Sequence, residues 1–175
     1  MKILMVLGLL ALTVASGAKP KAGPPVKSPG TKAEPVKADG LVFKASGEFW
    51  EDRMPMMPVP KTPEDNAGRF HAATKVVVAN EGRKAVANIT AVEVIVYYGG
   101  TTREFCRFKP SPVGETLGSA AVAPGRQITL EYSGNPETIG ALRDSMTVYG
   151  QILVAYGRGK RIAVLTPEAK IVITY

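Results

Sequence analysis

The chain has one cysteine, one histidine and one tryptophan. Cys106 alone closes no internal disulfide, so stability has to come from a packed core. His71 alone offers no second imidazole for a histidine-built metal site, and no nucleophile stands beside it in sequence, which leaves the usual hydrolase triads without support. No apolar run reaches the roughly 20 residues a membrane-spanning helix needs. Sustained helical periodicity is nearly missing as well, which argues against an α or α/β architecture.

What is present begins with an export pattern. Lys2 is followed by an apolar run from Ile3 to Ala15 and the small residues Ser16-Gly17-Ala18, the order of a secretory signal with cleavage expected after Ala18. No cysteine follows that could take a lipid. Residues Lys19 to Asp39 then read KPKAGPPVKSPGTKAEPVKAD, a Lys/Pro-rich composition with neither strand nor helix period. It is expected to be a disordered tether of extended, polyproline-like character, with its spaced lysines suited to peripheral contact with an anionic surface. The remaining stretch, 40–175, has the size of a single domain. It holds 16 Lys and Arg against 13 Asp and Glu, and the tether holds five Lys against Glu34 and Asp39. A domain this mildly cationic, with its charge spread along the sequence, gives nucleic-acid binding little basis.

From Leu41 onward the apolar period is two. In Ala91 to Tyr98, Val92, Val94, Val96 and Tyr98 share one face. Gly99-Gly100 ends that run, and Arg103 to Phe108 follows closely enough for a hairpin, with Cys106 and Phe108 on one side and Phe105 on the other. Leu41–Trp50, Phe70–Asn80, Gln127–Tyr132, Met146–Tyr156, Lys160–Leu165 and Lys170–Tyr175 complete the set. Asn135 and Pro136 suit the start of one short helix over 136–143. The expected fold is all-β: an immunoglobulin-like antiparallel β-sandwich of about eight or nine strands, with a closed barrel as the alternative.

Two turn patterns carry a resemblance. Thr74-Lys75-Val76-Val77-Val78-Ala79-Asn80-Glu81-Gly82 precedes a Val-rich strand, and Ala123-Pro124-Gly125 leads into Ile128-Thr129-Leu130. Over Phe70 to Tyr132 the chain resembles bacterial envelope immunoglobulin-like modules of the kind named for an F-x-L-Y-D signature. The resemblance implies a binding or structural module of the envelope and transfers no site residue.

The segment from Glu51 to Gly68 lacks either period, and loops of that length in compact domains are usually either functional or disordered insertions. Within it, Met54-Pro55-Met56-Met57-Pro58-Val59-Pro60 follows closely on Trp50. Tryptophan and methionine are enriched at protein interfaces, so Trp50, Met54, Met56, Met57 and Val59 are the expected partner-binding residues. The alternative is a copper site: three thioethers form a soft donor set for Cu(I), with the His71 imidazole as a fourth ligand. Glu51-Asp52 and Glu64-Asp65 read as solvated surface, Cys106 as a buried thiol, and Arg158, Lys160 and Arg161 as a charged hairpin tip. The function expected is a non-enzymatic, exported module of the periplasm or cell envelope. It needs no cofactor and binds a protein or envelope component; the alternative is a periplasmic copper-binding protein.

Overall fold

A computed structural model describes residues 33–53, 68–114, 118–143 and 145–175. Twelve strands are present among them: β1 (Val36–Ala38), β2 (Leu41–Asp52), β3 (Phe70–Asn80), β4 (Val86–Tyr98), β5 (Glu104–Phe108), β6 (Ser111–Pro112), β7 (Ala120–Val122), β8 (Gln127–Gly134), β9 (Thr147–Tyr156), β10 (Lys160–Leu165), β11 (Ala169–Lys170) and β12 (Val172–Thr174). They form two six-stranded sheets. One runs β1-β2-β3-β8-β6 with β12 also on β2, and the other runs β10-β9-β4-β5 with β11 on β9 and β7 on β4. All pairings are antiparallel except that of β12 with β2, which is parallel. The expected all-β sandwich is therefore the observed one. The long strands match the periodic runs, and the higher strand count comes from short segments of two or three residues.

Alternation decides what lies between the sheets. Phe43, Phe49, Phe70, Val76 and Val78 of the first sheet meet Ile89, Val94, Val96, Ile152 and Val154 of the second, all buried. Burying each large apolar side chain contributes about 1.5–3 kcal/mol. The sheets are also joined by a polar contact: β4 shifts register between Ala91 and Glu93, and the Ala91 N–H left over there donates to the Tyr132 hydroxyl of β8 at 3.0 Å.

Three expectations need correction. No helix forms over 136–143. Ile139 instead bridges to Cys106, the Gly140 N–H donates to the Phe105 carbonyl at 2.7 Å, and a methyl group on Gly140 would run into the Tyr98 hydroxyl. The β-branched Thr138 and Ile139 followed by glycine favour that extended course over a helix. Phe105 is not on the outer side of its hairpin. A register shift between Val96 and Tyr97 turns it inward, where it lies 3% exposed and meets Phe70 edge-on at 5.0 Å. Finally, 170–175 is not one strand. Buried Ile171 separates β11, on the second sheet, from β12, on the first, so the C-terminal chain passes from one sheet to the other. The last part of the Lys/Pro-rich segment, Val36–Ala38, joins the first sheet as an edge strand.

Candidate functional site

At the end of the sandwich where β2 leads into the Met/Pro segment, Phe49 and Glu51 are buried. The strand pleat therefore sends Trp50 to the outer face. The same rule acts on β3, where His71 lies between buried Phe70 and Ala72. Because Trp50 and His71 are directly paired across β2 and β3, their rings stack, with centroids 5.5 Å apart and planes 19° from parallel. Below them, Phe49 and Phe70 stack at 6.3 Å in the core and fix the strands that carry the outer pair.

The His71 ring is also fixed from its other side. Its Nδ1 lies 3.0 Å from Asn135 Oδ1, an oxygen that accepts, so the contact is a hydrogen bond when Nδ1 carries a proton. That is the arrangement that sets a ligating imidazole's tautomer in metal sites. Among the described residues, no group of three or more His, Cys, Asp or Glu side chains is placed to hold a metal ion.

On the far side of Trp50 the C-terminal strand completes the surface. Val172 pairs with Trp50 and Thr174 with Asp52, while the Arg53 N–H donates to the Thr174 carbonyl at 2.8 Å. The result is a groove of about 460 Å³ bordered by Phe49, Trp50, Val172 and Thr174, with the charged Glu48 and Lys170 also on its wall. Val172 is 60% exposed at its lip.

The predicted site residues divide cleanly. Trp50 and His71, proposed for two different roles, are neighbours in one stack. Met54, Met56, Met57 and Val59 lie outside the described residues, as do Glu64 and Asp65. Glu51 is not solvated: it is 5% exposed and paired with the Arg53 guanidinium at 2.9 Å. Val172, Thr174 and Asn135 were missed. Their own residue types are ordinary, and only the parallel docking of β12 and the path after β8 bring them here.

Other chemistry-bearing groups are spoken for. Cys106 is buried, and that burial pushes its thiol well above the ordinary range, which keeps it protonated. Glu104 is held below the usual carboxylate range, chiefly by its hydrogen bonds from Arg107, and the same guanidinium reaches Glu93.

No protein family matches the sequence, and no curated protein does either. Solved structures with some likeness include a structural-genomics target named SoR45, 13% identical over 79% of this chain and 90% of its own, with a TM-score of 0.40. The apo PCuAC domain from PmoF1 is 10% identical over 77% of this chain and 97% of its own, TM-score 0.40. The putative ApaA protein from Bordetella pertussis is 16% identical over 76% and 93%, TM-score 0.36. At these values the likeness assigns no family and transfers no site residue. The F-x-L-Y-D signature itself is absent from the sequence.

Proposed function

We propose that this protein is a non-enzymatic, exported β-sandwich module of the immunoglobulin-like kind that binds a protein or envelope component through its Trp50 end. The observation that carries the reading is the position of Trp50. It is stacked on His71, open to the outer face, beside the groove capped by Val172 and at the root of the Met/Pro segment. Rigid, prepositioned aromatics at such places supply a large share of binding free energy, with truncation costing about 2 kcal/mol or more at true hot spots. The test replaces residues 54–67 with Gly/Ser in one variant and Trp50 with Ala in another. The reading predicts that both keep the fold and both lose the partner. Unimpaired partner binding by both variants would overturn it.

A second reading is favoured by the state of His71. Nδ1 faces Asn135 Oδ1, which leaves Nε2 as the ring nitrogen outside that contact, close to where the chain leaves β2 for Met54, Met56 and Met57. An imidazole nitrogen with thioether sulfurs is a donor set for Cu(I). Anaerobic Cu(I) titration against a competing chelator separates the two readings. Copper retained by the wild type and lost in both His71→Ala and the triple Met→Leu variant establishes a copper-binding role. Equal behaviour of all three proteins removes it.

A further inference from the structure

The opposite end of the sandwich gathers charge that the sequence disperses. Four turns meet there, at Asp39-Gly40, Glu81 to Ala85, Ala123 to Arg126 and Gly157 to Gly159. Hydrogen bonds tie them together: the Glu81 N–H donates to the Gly40 carbonyl, Gly125 to Asn80, and Gly157 to Ala87, each at 2.8 Å. Buried Asn80 locks the group, donating to the carbonyls of Lys84 and Val122 and accepting from the Gly82 N–H.

Of the sixteen Lys and Arg in 40–175, six stand on these turns or within two residues of them, against one of the thirteen carboxylates, Glu81. The two acids at this end are already neutralised. Glu81 pairs with Lys37 at 3.1 Å, and Asp39 accepts from Lys160 at 2.9 Å and from the Tyr156 hydroxyl at 2.8 Å. Lys160 is the main cause of the depressed Asp39 titration, so this carboxylate stays charged and its charge stays matched. Arg83, Lys84, Arg126, Arg158 and Arg161 remain exposed. The even distribution expected from the sequence is thus corrected: positive charge is concentrated at one pole, and the rest of 40–175 carries more carboxylates than bases.

We propose that this pole is a docking face for an anionic phospholipid bilayer. The cations are set on separate turns as spaced point charges, and no aromatic side chain is exposed among the described residues there to stack on a nucleobase. Such an array matches a diffuse anionic plane, where each basic residue near the surface strengthens binding about fivefold at ordinary salt. The four lysines that precede β1 in the Lys/Pro-rich segment add to the same attraction. Docking in this sense would point the Trp50 end away from the bilayer, at a distance of about 35–40 Å for a strand of β2's length.

The experiment is co-sedimentation of the chain from Lys19 to Tyr175, which keeps every described strand, with vesicles of equal parts phosphatidylglycerol and phosphatidylcholine. Vesicles of phosphatidylcholine alone and soluble polyphosphate are run in parallel. The triple variant Arg83→Glu, Lys84→Glu, Arg158→Glu is compared with Lys109→Glu, Arg143→Glu, Lys170→Glu, which changes net charge equally away from the pole. Circular dichroism confirms that both fold. The proposal predicts binding to the anionic vesicles alone, weakened at least tenfold in the first variant and much less in the second. Equal loss in both variants, no loss in the first, absence of wild-type binding, or binding to polyphosphate without binding to vesicles each overturns it.

Discussion

The indole of Trp50 and the imidazole of His71 lie face to face, 5.5 Å between centroids, on the outer side of a sheet whose inner side holds the parallel stack of Phe49 on Phe70. Cross-strand aromatic pairs of this kind stabilise by about 0.5–1 kcal/mol beyond the area they cover. A double-mutant cycle of Trp50→Ala and His71→Ala, read from urea midpoints, is expected to give a coupling energy of that size. Trp50 is the sole tryptophan, so its emission reports the pair directly and is expected to change in His71→Ala.

Two buried threonines make opposite predictions. The Thr74 hydroxyl faces the core without a hydrogen-bond partner, whereas Thr166 accepts from the Gly150 N–H at 2.8 Å and donates to the Pro167 carbonyl at 3.0 Å. Thr74→Val removes an unpaired polar group and is expected to leave thermal stability unchanged or raise it. Thr166→Val orphans a buried N–H and is expected to cost about 1–3 kcal/mol. Melting temperatures of the two variants check both.

Much of the fold was legible because alternation is a direct consequence of the pleat: Phe70–Asn80 and Lys160–Leu165 begin and end where their patterns do. What the pattern does not carry is any shift of register. Phe105 turns inward because of a bulge, and Ile171 marks a change of sheet, both set by partners distant in sequence. Half of the candidate site was legible for the same reason. Trp50 and His71 each stand out by type, while Val172 and Asn135 become site residues only through tertiary docking.

Asn80, quoted from the sequence as part of a turn pattern, acts in the fold through its side chain. Asn80→Asp would set a carboxylate oxygen against the carbonyls of Lys84 and Val122, which the amide now binds at 2.8 and 3.0 Å. The expected cost is about 1–3 kcal/mol for each buried group left unpaired. Denaturant unfolding measures it, and faster amide exchange at Gly82 and Gly125 would localise the loss to the cationic pole.

Cys106 is expected to resist alkylation while the protein is folded, since it is buried and that burial holds its thiol protonated. Labelling rate against urea should follow the unfolding curve. Rapid labelling in the absence of denaturant would contradict the packing described for β5.

The most direct test of the binding surface is a photo-crosslinking amino acid placed at Val172, the exposed lip beside Trp50, in cells that make the protein. The account predicts a discrete adduct from position 172 that disappears when Trp50→Ala is added, and no such adduct from a control at Lys75, which lies on the same sheet away from the Trp50 end. Absence of an adduct at 172, or one indifferent to Trp50, would contradict it.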